Sequence, residues 1–539
     1  MNLFVLFLFC VIFHNVASLM PMPKAIQKGD QVVKIENKCS LRYQATEDQY
    51  PDFILELLEH FHTLMTPKQC NFRQSFGFTN DLGAMKISMQ IESFEQLYGV
   101  DTTKQESYRL DIDNELNVQI QVNNHWGLVR ALNTLNQLSE KGEIHDLPLT
   151  IEDEPTYSYR GILIDSARHF LSVQLIERTI DSLVMNSMNT VHWHITDDES
   201  FPLLLTEYPG ITHSTKYSEN SYYTINDTTR IVEYASKRGV QIIPSFDSPG
   251  HSMSWGMTKE LADIMMMCGS TIKQYGVLDP TLEKTYQVLE SILKDFYQMF
   301  KKVKFVNFAG DEVSKTCWDQ RPEIKEFMQK NNINDYFELQ SYYRRRQKQL
   351  WKDVIKAEQD IIYLYRKEDN LPLDKDDIIH WWGNTDQLPD VADKPNRIIL
   401  MDYFPLFIDA GFGNAFGNPY SVYHTWKEIY KWTPSLPQGS LNTIIGGEVP
   451  LWGETNNQNT HFNKLYMRTS VIAETLWNPK VKETEKYASF VKRLIQMEDR
   501  MTKQGFPVTP VTHGYCRKNT ELCFPVLSEE EQKEQIQTE

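Results

Sequence analysis

Several things are scarce in this chain of 539 residues, and each scarcity removes a class of function. Basic residues are outnumbered, with 55 Lys and Arg against 72 Asp and Glu, a net charge of −17. That balance argues against nucleic acid or an anionic membrane surface as a partner. Cysteines are few, and none stands in a CxxC pair, which argues against a structural zinc site. Beyond the N-terminus no apolar run approaches the length of a membrane span, so a soluble mature protein with no membrane span is expected. There is no long-period repeat and no low-complexity linker. What remains is a globular composition, 41% hydrophobic and 12% aromatic, with 11 Trp and 26 Tyr. Flat apolar faces suit pyranose rings, although most aromatics in any fold serve the core.

The N-terminal residues 1–18 read as a secretory signal, despite an n-region without positive charge. Leu3 to Phe13 is apolar but short for a span, and Val16, Ala17 and Ser18 are small enough for signal peptidase. Cys10 would leave with that segment. Cys39, Cys70, Cys268, Cys317, Cys516 and Cys523 remain, an even number that implies disulfides in an oxidising compartment and leaves their pairing open. Asn226-Asp-Thr228 is a glycosylation acceptor in a polar stretch that reads as a loop.

Residues 19–155 read as a small α+β domain. Met85, Ile87, Met89 and Ile91 alternate with polar residues as in a half-buried strand. Leu110–Ile112 and Leu116–Val122 flank the polar turn Asp113-Asn114-Glu115, a hairpin pattern. Leu128, Leu132, Leu135 and Leu138 share a helical face. From residue 156 to 505 the pattern changes. Short apolar runs begin at Gly161, Thr190, Val240, Phe305, Ile361, Ile378, Ile398 and Thr443 and alternate with helical stretches. Eight such units predict an α/β fold, a (β/α)8 TIM barrel preceded by the small α+β domain, with the active site at the C-terminal strand ends. Residues 506–539 form a tail holding Cys516 and Cys523 and ending in a charged run from Ser528 that reads as solvated.

The richest of those strand ends is Asp311-Glu312, after the run Phe305–Phe308 and Gly310. Two adjacent carboxyls in different surroundings can divide acid and charge-stabilising duties on a sugar. Helix capping is the plain structural alternative for such a pair. His192 and His194 would share a strand face; a zinc reading is possible, but a hydrogen-bonded core role is favoured. Asp247 and His251 stand in a Ser-Pro-Gly turn that would also project them at a barrel mouth, with His251 within reach of Asp197. Arg168 offers a fork of donors for hydroxyls, or a structural ion pair. Trp382 and Trp452, with Glu454 two residues further on, would form walls and a carboxylate on the same side, or else cap the barrel core.

Six ordered motifs together resemble glycoside hydrolase family 20, the β-N-acetylhexosaminidases. They are Arg160-Gly-Ile-Leu-Ile-Asp-Ser-Ala-Arg-His169, His192-Trp-His-Ile-Thr-Asp-Asp-Glu-Ser-Phe-Pro202, Phe246-Asp-Ser-Pro-Gly-His251, Gly310-Asp-Glu312, Gly446-Gly-Glu448 with Leu451-Trp-Gly-Glu454, and Ala473-Glu-Thr-Leu-Trp477. Trp126-Gly-Leu-Val-Arg130 is similar to the helix that precedes the family's barrel. The resemblance implies exo-removal of terminal GlcNAc or GalNAc from glycoconjugates or chitooligosaccharides, with retention, by attack of the sugar's own acetamido oxygen. It implies Glu312 as general acid and base and Asp311 as the group that orients the acetamido nitrogen. Asp197 and His251 would support Glu312, with Asp311's charge helping to keep Glu312 protonated. Arg168 would hold the 3- and 4-hydroxyls, Trp382 and Trp452 the walls, and Asp409 and Glu454 the outer hydroxyls. It further implies pairing of the cysteines in sequence order, no cofactor and no metal, a possible homodimer, and a lysosomal or extracellular place in the secretory pathway.

Several positions depart from the family pattern. Phe407 stands where a tyrosine hydroxyl is usual, and the pocket Trp expected after the fifth strand reads as Tyr365 or Tyr363. Asn307, Ala309 and Ser245 replace the usual His, Gly and Glu. These departures keep open a second reading, a catalytically weak glycan-binding pseudoenzyme of the same fold.

Overall fold

The computed structural model describes residues 15–35, 39–78, 83–269, 274–365, 373–392, 394–411 and 422–525. The charged run from Ser528 and the run's neighbours lie outside the described residues.

The first layer is a six-stranded mixed sheet. Its strands are β1 (Ala25–Lys34), β2 (Leu41–Tyr43), β3 (Met85–Ile91), β4 (Tyr108–Ile112), β5 (Asn117–Val122) and β6 (Glu143–Asp153), in the order β1-β6-β4-β5-β3-β2. The expected hairpin is β4 against β5, antiparallel from Tyr108↔Val122 to Ile112↔Val118. Helix α2 (His125–Ser139) packs on β4, β5 and β6 of this sheet, and helix α1 (Asp52–Met65) packs against α2. Asn124 caps α2 by accepting from Trp126 N, and Leu128, Leu132, Leu135 and Leu138 are fully buried. The opposite side of α2 is buried too, because it packs on the helix Val173–Met185 of the second unit.

One buried carboxylate joins the two units. Glu106 receives Arg160 Nη2 at 2.6 Å, Arg130 Nε at 2.9 Å and Asn189 Nδ2 at 2.9 Å. Burial would raise its pKa, but the charges of Arg160 and Arg130 outweigh that and hold the carboxyl below its usual range.

The second unit is a closed barrel of eight parallel strands. They are β7 (Tyr159–Asp165), β8 (Thr190–Thr196), β9 (Gln241–Phe246), β12 (Phe305–Asn307), β13 (Asp360–Tyr365), β14 (Ile378–Gly383), β15 (Arg397–Asp402) and β16 (Thr443–Leu451). β10 (Met265–Gly269) and β11 (Gln274–Leu278) form a separate hairpin over the mouth side. The barrel interior is layered. Tyr159, Ile243, Phe305, Ile362, Ile378 and Ile399 plug one end. Above them lie His192, Asn307, His380 and Glu448, all fully buried. Ala309, Leu364, Met401, Phe407 and Ala410 then form an apolar layer under the mouth.

The disulfides are Cys39–Cys70, Cys268–Cys317 and Cys516–Cys523, the order that the resemblance implied. The second ties the β10–β11 hairpin to the stretch just after Glu312.

One expectation meets a different structure. Asn226 lies in the first turn of the helix Ile225–Ser236, not in a loop; Thr224 and Asp227 form its capping box. At the N-terminal end of the described residues, Val16 and Leu19 are buried, and Ser18 O accepts from Arg500 Nη2 at 3.0 Å.

Glu106→Gln leaves two buried guanidinium groups without their counter-charge. It should lower the unfolding free energy by about 3–5 kcal/mol in urea titrations, a loss typical of breaking one side of a buried pair. The depressed carboxyl stabilises above its unfolded pKa and loses that contribution as pH falls through the folded value. The wild-type advantage over Glu106→Gln should therefore shrink under acid.

Candidate active site

The site is built from seven strand ends, those of β7, β8, β9, β12, β14, β15 and β16. After β7, Asp165 Oδ1 accepts the backbone N–H groups of Ala167 (2.9 Å) and Arg168 (3.1 Å), and Oδ2 accepts that of Gly453 (2.9 Å). This clamps the β7 exit to the turn after β16. Arg168 then reaches Asp165 Oδ2 with Nη1 (3.1 Å), Asp197 Oδ2 with Nη2 (2.8 Å) and Glu199 Oε2 with Nε (3.1 Å). Its guanidinium lies 5.6 Å from the Trp452 ring centre.

After β8, Asp197 is enclosed. His194 Nε2 lies 2.8 Å from Oδ2, and His251 Nδ1 and the Asp198 backbone N–H lie 3.0 and 2.7 Å from Oδ1. Burial would raise the Asp197 pKa, yet Arg168 and then His251 hold it well below the carboxylate range. Burial would lower the His251 pKa, yet Asp197 outweighs burial and holds the imidazole well above its usual value. The pair is thus an anion and a cation, and His251 Nε2 sits 3.4 Å from Glu312 Oε2.

After β12 the chain turns sharply. Gly310 has φ +58°, and a Cβ there would meet Ser248 O at 2.2 Å. Glu312 itself has φ 52° and His251 φ 49°, left-handed conformations that cost a non-glycine residue on the order of 1–3 kcal/mol. Arg344 donates to the carbonyls of Phe308 and Ala309, and Gln340 Nε2 to that of Gly310 at 3.1 Å. The helix Tyr336–Gln349 thereby holds the acidic turn in place. Asp247, at the end of β9, accepts from Gly310 N. Its carboxyl is pushed up to about 7, chiefly by burial, with Asp311 adding to the shift against the charge of His251.

A pocket of about 170 Å³ gathers Arg168, Asp197, Asp247, His251, Asp311, Glu312, Trp382, Phe407, Trp452 and Glu454. That is small beside the roughly 300–1,000 Å³ of drug-sized sites, and suits one ring better than a chain. A wider depression of about 510 Å³ lies on the first sheet, but its charges pair with each other, as in Lys104–Glu154 at 3.0 Å, and no catalytic set converges there.

Two expected positions lie elsewhere. Tyr365 does not line the pocket. Strand alternation turns Tyr363 and Tyr365 to the outer side of β13, and Leu364 takes the inward place against Phe407 and Met401. Asp409 is fully buried behind Glu454, and neither carboxylate oxygen has a hydrogen-bond partner among the described residues. Burial, with Glu454 adding to it, pushes its carboxyl well above the ordinary range. The side chains of His192, His380 and Glu448, and those of His194, Asp197 and Asp247, lie close enough together to hold an ion. Glu448 already hydrogen-bonds Tyr159 OH and lies 2.9 Å from His192 Nδ1.

Residues missed by the sequence reading are Glu199 and Arg344. Glu199 followed the acidic pair within a quoted motif, which was the one available signal. Arg344 opens an Arg-Arg-Arg run that reads as a solvated face.

The fold and the convergent carboxyls define a glycoside hydrolase, and the comparisons agree. The model of the glycosyl hydrolase family 20 catalytic domain matches residues 157–480, and that of the family's domain 2 matches residues 16–154. The β subunit of β-hexosaminidase from Felis catus is 30% identical over 528 residues, covering 93% of this chain and 94% of the relative. The chitooligosaccharidolytic β-N-acetylglucosaminidase of Bombyx mori is 32% identical over 448 residues, 78% of this chain and 75% of that one. Among solved structures, the Vibrio harveyi exo-β-N-acetylglucosaminidase aligns with TM-score 0.74 at 20% identity, over 93% of this chain and 79% of its own. The chain belongs to glycosyl hydrolase family 20, the β-N-acetylhexosaminidases.

Asp247 generates a pH prediction. Below about 7 it is neutral, and above that it adds a second negative charge beside Asp311. Hexosaminidase kcat/KM should fall through an alkaline limb near pH 7, and Asp247→Asn should move that limb upward by about one unit or more. A raised carboxyl pKa also means that the native state keeps a proton the unfolded chain has released. Wild-type stability should therefore decline relative to Asp247→Asn as pH rises from about 4 to about 7.

Proposed function

We propose that this enzyme removes terminal, non-reducing N-acetylhexosamines with retention, the substrate's acetamido group serving as nucleophile. The observation that carries the reading is the shared pocket: Asp311 and Glu312 stand with Arg168 between the Trp382 and Trp452 walls. The acetamido oxygen attacks C1 as the C1–O bond breaks, and Glu312 gives its proton to the leaving oxygen. Asp311 accepts from the acetamido N–H and stabilises the positive charge that develops in the oxazolinium ring. Water then attacks C1, Glu312 takes its proton, and the ring reopens to the acetamide. Two inversions at C1 retain the configuration.

Terminal GlcNAc or GalNAc on glycoconjugates or chitooligosaccharides is the substrate class, and the relatives' names include both hexosaminidases and a chitooligosaccharide hydrolase. Three disulfides favour the secretory pathway, lysosomal or extracellular, and no described helix is long and apolar enough to cross a membrane.

Phe407 favours a second reading. It lines the pocket and contributes no hydroxyl where the family pattern has one, which fits a weak or inactive glycan binder. The two readings separate on a chromogenic N-acetylglucosaminide. The enzyme reading expects measurable turnover that Glu312→Gln lowers by about 10²–10⁴. Undetectable wild-type turnover with intact N-acetylglucosamine binding supports the second. Phe407→Tyr should raise kcat, by up to about 10²–10³ if the added hydroxyl reaches the acetamido oxygen.

A further inference from the structure

Arg168 carries three carboxylates, and they are not equivalent. Asp165 and Asp197 are buried and fixed by other groups: Asp165 by three backbone N–H donors, Asp197 by His194, His251 and the Asp198 N–H. Glu199 stands at the rim with its side chain 46% exposed and takes the Arg168 Nε hydrogen. Beside it Tyr217 is 51% exposed, its hydroxyl tied to the Ala167 carbonyl at 2.7 Å.

A guanidinium has five N–H hydrogens in a rigid plane. With Nε on Glu199, Nη1 on Asp165 and Nη2 on Asp197, one N–H of each Nη is left for a ligand. The guanidinium is a rigid plane, and without a contact on Nε it is freer to rotate about the Cδ–Nε bond. Such a rotation would swing the remaining N–H of both Nη groups off the pocket. The Glu199 contact on Nε opposes it.

We propose that Glu199 is a positioning residue that sets the roll of the Arg168 guanidinium, and so keeps two donors directed at the hydroxyls of the terminal sugar. The inference rests on the reading of Arg168 as the residue that binds those hydroxyls. Glu199 touches none of the reacting atoms, so its effect falls on affinity.

The test is steady-state kinetics on a chromogenic N-acetylglucosaminide and its 4-deoxy analogue. Glu199→Ala should raise KM on the parent substrate by about 5–10-fold, with kcat within about two-fold. Glu199→Gln keeps an oxygen for Nε and should recover most of that loss. On the 4-deoxy substrate the Glu199→Ala penalty should shrink to about half or less of its value on the parent, because one of the two hydroxyls that the oriented donors serve is missing. Equal penalties on both substrates, a Gln variant as poor as Ala, or an unchanged Ala variant would each overturn the proposal. Calorimetric binding of N-acetylglucosamine and its 4-deoxy form to Glu312→Gln protein, with and without Glu199→Ala, gives the same comparison without turnover. Failure of hydrolysis in the wild type would thus count against the catalytic reading alone.

Discussion

The Asp197 carboxylate is the contact on which the rest of the site depends. It gathers Arg168 from the β7 exit, His194 from β8 and His251 from the β9 loop, and its own neighbour's N–H completes the set. A buried carboxylate without such partners would neutralise itself by taking up a proton. Here Arg168 and His251 keep it charged, and in return it holds both in register. The oriented groups have separate tasks. In the proposed reading Arg168 holds the far end of a terminal sugar, and His251, which faces Glu312, serves the end where the bond breaks.

The surroundings bear the cost of this arrangement. Glu312 and His251 sit in left-handed backbone conformations that relax unless the framework holds them. Arg344 and Gln340 grip the carbonyls before Glu312, Asp247 grips the N–H of Gly310, and the Cys268–Cys317 bridge tethers the chain just beyond. Below, the layered barrel interior supplies a rigid base. Behind, the Glu106 cluster with Arg130 and Arg160 locks the sheet unit onto the start of β7. Strain at the mouth is therefore supported by packing and hydrogen bonds well away from the substrate.

Most of this architecture was legible in the sequence because barrel strands are short, apolar and followed at once by functional polar residues. All eight runs from Gly161 to Thr443 fall in barrel strands, and Arg168, Asp197, His251, Asp311, Glu312, Trp382, Trp452 and Glu454 meet in one pocket. Facing was not legible on β13. In Ile361-Ile-Tyr-Leu-Tyr365 both faces are buried, so hydrophobicity does not alternate, and only the register shows that Leu364 points inward. Asn226 was misread because a helix's polar first turn resembles a loop. Glu199 and Arg344 act through contacts distant in sequence or hidden in a charged run, and no local pattern encodes them.

The complex with an N-acetylglucosamine thiazoline tests the central claim most directly. Its crystal structure should show the sugar in the Trp382–Trp452 pocket and the thiazoline nitrogen beside the Asp311 carboxylate. Glu312 should lie over the anomeric carbon, and Arg168 should contact ring hydroxyls while still paired with Asp197. A ligand bound elsewhere, or Glu312 turned away while Arg168 leaves Asp197 to reach the sugar, would contradict the account.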